Sequence, residues 1–177
     1  MKNYYPKFLS ILILFGFSSL FAQTPNWQLA YAAGYNGNES ASSLVVDANG
    51  NTYITGSYTS SYINFGTISL LNNFAGTSDI FLVKIDPSGT VLWAKTFGGA
   101  DGDQGNGLAI DASGNVILTG WFASASITFS ATVLNNVGTA SSDLFMVKYD
   151  PDGNLIWAKS TGGSLNDRGY SVSCDAN

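Results

Sequence analysis

Apolar residues in this chain come in short runs, cut at regular intervals by clusters of Asp, Asn, Ser and Gly. The runs are brief and rich in Val, Ile, Tyr, Phe and Thr, which predicts β-strands joined by tight turns rather than helices. In the clearest stretch the strands are Leu108 to Asp111, Val116 to Phe122, Leu144 to Tyr149 and Leu155 to Ser160. Asp111-Ala-Ser-Gly-Asn115 and Asp150-Pro-Asp-Gly-Asn154 are turns with a mechanism: the Asp side chain caps backbone amides, and Gly takes the positive φ that closes the loop. Pro87 and Pro151 fall at turn positions that already need a φ of about −65°. Ile80-Phe-Leu-Val83 and Leu144-Phe-Met-Val147 are apolar at consecutive positions, so both faces of these strands are expected to be buried. That suits a sheet stacked between neighbours.

The pattern repeats. Asp47-Ala-Asn-Gly-Asn-Thr-Tyr-Ile-Thr-Gly56 matches Asp111-Ala-Ser-Gly-Asn-Val-Ile-Leu-Thr-Gly120 at an offset of 64 residues. Asp79 to Gly89 matches Asp143 to Gly153, and Trp93-Ala-Lys-Thr-Phe-Gly-Gly99 matches Trp157-Ala-Lys-Ser-Thr-Gly-Gly163, at the same offset. Trp27 opens an earlier, degenerate copy, and Asp167 to Asn177 follows Asp103 to Ser113. The repeats therefore run over about 27–92, 93–156 and, in part, 157–177. Each reads as four main strands. A variable insert (60–78 and 124–142) separates the second from the third, with Ile63-Asn-Phe65 and Ile127-Thr-Phe129 marking an extra short hairpin. A fixed frame with a variable insert places any interaction surface on the inserts. The chain stops inside a turn, as a fragment of a longer protein would.

Residues 1–22 differ in kind: Lys2 and Lys7 precede the apolar run Phe8 to Phe17, and small residues lead to Ala22 before Gln23. This is the pattern of a cleaved signal peptide, and the run is short of the roughly 20 residues that a spanning helix needs. No cysteine lies near Ala22 to carry a lipid. The mature chain, 23–177, is expected outside the cell or on its surface, with no membrane span after cleavage.

Losing two lysines takes the net charge from −5 to −7, because all the acidic residues lie beyond residue 22. Clustered Lys and Arg that would neutralise phosphates are missing, which argues against nucleic acid. The chain has no histidine, and Cys174 is its one cysteine. Ser/His/Asp and Cys/His catalysis and an internal disulfide framework are thereby excluded. Paired-carboxylate hydrolysis remains chemically open, but Asp47, Asp86, Asp111, Asp150 and Asp175 recur at turn positions that already account for them. No catalytic, cofactor-binding or metal-ligating residue is assigned. Calcium is the one cofactor left open, at Asp150-Pro-Asp152-Gly-Asn154; the sequence lacks the alternate acidic ladder and distal Glu of an EF-hand. Glu39, Asp103 and Asp167 form a further repeated acidic position just before the first strand of each copy, where lining one rim of the propeller and serving as solvated turn charges account for them equally well. Lys84 and Lys148 lie inside apolar strands, with Asp79 and Asp143 five residues earlier, and are expected to snorkel or to pair. Trp93 and Trp157 are expected to pack between sheets, and Cys174 to be a small buried residue in the third copy's first strand.

Asp111 to Gly120, Asp143 to Gly153 and Trp157 to Gly163 together resemble the β-propeller repeat of bacterial secreted proteins, the SBBP repeat. The resemblance covers nearly all of the mature chain and implies four-stranded antiparallel blades of an all-β, incomplete propeller. It supplies no catalytic residues, and in proteins of this kind the repeats precede other extracellular modules and often a type IX secretion signal. The expected function is a non-catalytic extracellular scaffold or binding module for a protein or glycan. A lectin-like propeller, or the front end of a secreted hydrolase, is the alternative. The spacing of the sialidase Asp-box and the mannose-binding string of bulb lectins are both missing.

Overall fold

A computed structural model describes residues 33–72, 74, 76–138 and 140–175 of the chain. The signal segment, Trp27 and the last two residues lie outside the described residues. Among those described the protein is all-β: twelve strands and no helix. They are β1 (Glu39–Val46), β2 (Thr52–Tyr58), β3 (Tyr62–Phe65), β4 (Ile68–Leu71), β5 (Asp79–Ile85), β6 (Val91–Phe97), β7 (Asp103–Ile110), β8 (Val116–Phe122), β9 (Ser126–Phe129), β10 (Thr132–Asn135), β11 (Asp143–Tyr149) and β12 (Leu155–Thr161).

They form two four-stranded antiparallel sheets, β1-β2-β5-β6 and β7-β8-β11-β12, each with a two-stranded hairpin (β3-β4, β9-β10) between its second and third strands. These are propeller-like blades, here blade 1 and blade 2. The repeat extends to irregularities. Bulges at Ala41/Ser43 and Lys84/Ile85 recur at Gly105/Gly107 and Lys148/Tyr149. The hairpin turns use a left-handed residue at equivalent positions, Gly66 (φ 60°) and Ser130 (φ 54°).

Turn chemistry sets the registers. Asp111 Oδ1 accepts from the backbone N–H of Ser113 and Asn115, both at 2.9 Å, while Oδ2 accepts from Asn115 Nδ2. Asp47 and Asp150 use the same three partners in their own turns, and Asp86 the same two amides plus Ser88 Oγ.

The first strand of blade 2 is longer than its composition predicts. It begins at Asp103 rather than Leu108 and ends before Asp111. Gln104-Gly-Asn-Gly107 has little strand propensity, yet it pairs with Thr119–Trp121 across a bulge. Glycine permits this approach, because a Cβ at Gly120 would collide with the Gln104 carbonyl and one at Gly105 with Thr55 of blade 1. In the third copy no strand forms over 167–175, where Cys174 is half-buried.

Blade 2 packs on blade 1 face to face. One core joins Tyr53, Ile80, Leu82 and Phe97 of blade 1 to Val116, Leu118, Phe122, Phe145, Val147 and Tyr149 of blade 2. Phe97 lies 4.7 Å from Phe129 and 5.9 Å from Tyr149, ring centre to ring centre. A second core, Tyr58, Phe81, Val83 and Ile85 under Ile63 and Phe65 of the hairpin, covers the far side of blade 1.

Candidate functional site

Each blade has two unlike faces. One, called here the hairpin face, carries Phe81, Val83 and Ile85 in blade 1 and Phe145, Val147 and Tyr149 in blade 2, with that blade's own hairpin laid on it. The other, the receiving face, carries Tyr53, Ile80, Leu82 and Trp93 in blade 1 and takes up the hairpin face of blade 2. Alternation along β5 dictates the division, because neighbouring residues point to opposite sides of a strand.

Two clusters of polar groups fasten the junction, beside a bond from the Leu108 N–H of blade 2 to Ser43 Oγ of blade 1 at 3.2 Å. At one, Lys84 Nζ and Trp93 Nε1 of blade 1 donate to the same acceptor, the Pro151 carbonyl oxygen in the turn of blade 2, at 2.8 and 3.2 Å. Trp93 sits edge-on to Tyr53, and Lys84 lies 5.1 Å over the Tyr53 ring. Trp93 is thus a packing residue. Lys84 does not pair with Asp79, nor Lys148 with Asp143. Five residues along a strand separates the two ends and turns their side chains to opposite faces. Lys148 pairs instead with Asp111 at 2.6 Å. Although partial burial works against it, the hydrogen bonds from Lys148 and Asn115 hold the Asp111 carboxyl well below the usual carboxylate range.

At the other place sits Asp103, which is fully buried and not on a solvated rim. Its carboxylate accepts from the N–H groups of Gly99 (2.9 Å), Ala123 (3.1 Å) and Ser124 (3.2 Å) and from Ser124 Oγ (2.8 Å). It ties the blade linker to the start of the β9-β10 insert. Burial raises Asp103 to about 6 despite these bonds. Asp79, 5% exposed, is pushed up to about 7 by burial and by the Asp103 charge beside it, and its Oδ1 has no partner. Composition could not show this pair. The recurrence of Ser60 and Ser124 at the repeat offset, each following an acidic residue at 39 and 103, was the available signal.

The turn left open for calcium has the geometry of its counterparts at Asp47 and Asp111. Asp150 accepts from Asp152 N–H, Asn154 N–H and Asn154 Nδ2 at 3.0, 2.8 and 2.9 Å, which is the hydrogen bonding of a capped turn. Among the described residues, no group of three or more His, Cys, Asp and Glu side chains is placed to hold a metal ion. No helix among them is long and apolar enough to cross a membrane.

Among the described residues, two blade faces lack a neighbouring blade. The hairpin face of blade 1 leaves a hollow bordered by Glu39, Ala41, Ile54, Phe81 and Ile85. The receiving face of blade 2 leaves one bordered by Leu144, Met146, Trp157, Lys159 and Thr161. The inserts differ between copies. Leu71 and Phe74 are exposed on one and Val133 and Val137 on the other, at non-equivalent positions.

No family model matches the chain. It is 32% identical over 128 residues, 65% of its length, to the uncharacterized WD repeat-containing protein L264 of Acanthamoeba polyphaga mimivirus. It is 28% identical over 103 residues, 58% of its length, to the regulatory protein FlaEY of Caulobacter vibrioides. Those stretches are 9% and 11% of the two proteins, so the chain spans about a tenth of the curated relatives it matches. The likeness to a WD repeat-containing protein and the strands recurring every 64 residues agree: this is a repeat β protein built of propeller-like blades.

Proposed function

We propose that the chain is part of a non-catalytic, secreted or cell-surface repeat module of the SBBP type, which binds a macromolecular partner through its variable inserts. One observation carries this reading: the recurring polar side chains are spent on the frame, and the residues that differ are exposed. Asp47, Asp111 and Asp150 cap turns, Lys84 and Trp93 fasten the blades, and Asp103 holds the linker. Leu71, Phe74, Val133 and Val137 stand out on the inserts instead. Exposed apolar residues rimmed by polar ones are suited to a protein surface. The basic start and apolar run of residues 1–22 support export, and the similarity to a WD repeat-containing protein supports a repeat scaffold.

The test is to express the chain with its leader in a bacterial host, sequence the N-terminus of the exported product, and screen it on a glycan array. A chain beginning at Gln23 without reproducible sugar specificity is the expected result. Retention of the leader in the cytoplasm would overturn the secreted reading, and a reproducible glycan preference would replace it with a lectin.

A further inference from the structure

The receiving face of blade 2 presents the groups that, in blade 1, hold the neighbouring blade. Lys84 and Trp93 converge on the Pro151 carbonyl oxygen, and 64 residues on stand Lys148 and Trp157. Trp157 borders the open hollow with Leu144 and Met146, the counterparts of Ile80 and Leu82. Lys148 is turned onto Asp111, which already has three other hydrogen bonds. Asp47, the counterpart of Asp111, keeps those three bonds while Lys84 donates to Pro151. Lys148 can therefore leave Asp111 without stranding it.

Part of an incoming blade is already seated. The N–H of Asp167 donates to Ser142 O at 2.6 Å as that of Asp103 donates to Ser78 O at 2.8 Å. Gly169 lies against Thr119 and Leu144 as Gly105 lies against Thr55 and Ile80. Residues 167–175 thus occupy on blade 2 the place that β7 occupies on blade 1, but with no ladder partner among the described residues.

We propose that this face docks a three-stranded antiparallel sheet of the same repeat chemistry. That sheet takes residues 167–175 as its inner strand and inserts an Asp-Pro-x-Gly turn, whose proline carbonyl accepts hydrogen bonds from Lys148 and Trp157. The proposal rests on the reading of the chain as a stack of blades, and not on what the inserts bind. Continuity with the blade 1–blade 2 junction selects this occupant. A second copy of the chain docking by its blade 1 would bring β1 into the slot that residues 167–175 hold.

Asn177 aligns with Ser113, so appending a second copy of residues 114–163 to the full chain supplies the missing strands in register. Hydrogen exchange at 167–175, where the amides of Asp167 and Gly169 already donate to Ser142 O and Gly120 O, should slow on the order of tenfold or more at the remaining amides in the extended chain relative to the parent, as the segment becomes a ladder strand. Lys148→Met should lower the melting temperature of the extended chain more than that of the parent. Met146→Asp should abolish the added protection while changing the parent's melting little, because that part of the face is open. Unchanged exchange at 167–175, whether the added segment folds elsewhere or stays unfolded, would overturn the proposal. Equal Lys148→Met effects in the two chains would overturn the clasp. A glycan preference in the array would bear on the inserts alone and leave docking standing.

Discussion

The strand Asp79-Ile-Phe-Leu-Val-Lys-Ile85 and its copy Asp143-Leu-Phe-Met-Val-Lys-Tyr149 share a sheet position, a bulge and both ladder neighbours, yet they are buried differently. All seven residues of β5 are buried, whereas β11 alternates, with Leu144, Met146 and Lys148 half-buried. The difference lies outside the strands: β5 has the whole of blade 2 against its receiving face, whereas among the described residues the same side of β11 meets only the segment 167–175 and is open around Met146. The converse holds on the other face, where Val116 and Leu118 of blade 2 are fully buried while their counterparts Thr52 and Ile54 are half-buried. Burial on both faces is thus a property of a pair of blades. A consecutive apolar run records the neighbour that the strand is shaped to receive.

The sharpest way to press this comparison is to cut the same side chain from both copies. Leu82→Ala opens a cavity in the inter-blade core and should cost about 2–5 kcal/mol of unfolding free energy. Met146→Ala, on the open face, should cost about 1 kcal/mol or less. Urea unfolding of the two variants measures both, and equal losses would break the distinction between the faces.

A smaller effect is expected from pH, through the buried acids at the junction. Asp79 and Asp103 ionise in the fold at about 7 and about 6, above the unfolded value of about 3.9. The folded state therefore holds protons that the unfolded chain releases. The stability this contributes is fully present below about pH 4 and is lost as pH rises toward 7. The melting temperature should fall from about pH 5 to 7, above the range in which lowered carboxyls such as that of Asp111 act in the opposite sense, and Asp79→Asn should flatten the slope. A wild-type profile that rises from pH 5 to 7 would refute the linkage.

Much of this was legible in the residues. Val116–Phe122 is a strand with the bounds its composition implies, and the insert hairpins fall on Ile63-Asn-Phe65 and Ile127-Thr-Phe129. Each Asp-x-x-Gly turn is capped as its chemistry requires. These features are local, set by period and by turn residues a few positions apart. What escaped depends on the neighbouring strand or blade. Gln104 to Gly107 become strand because glycines let two backbones approach, and Asp103 is buried because residues 99, 123 and 124 close around it. Lys148 reaches Asp111 across the sheet rather than Asp143 along its own strand. The clasp was hidden for another reason: its acceptor is a main-chain carbonyl, to which residue identity gives no clue.

The most direct test of the account is the accessibility of equivalent positions. With Cys174 replaced by Ser, the variants Leu82→Cys and Met146→Cys can each be exposed to a thiol reagent under native conditions. Met146→Cys should react promptly, and Leu82→Cys only at the rate of global unfolding. Equal rates at the two sites would contradict the claim that one blade covers the other and leaves its own receiving face open.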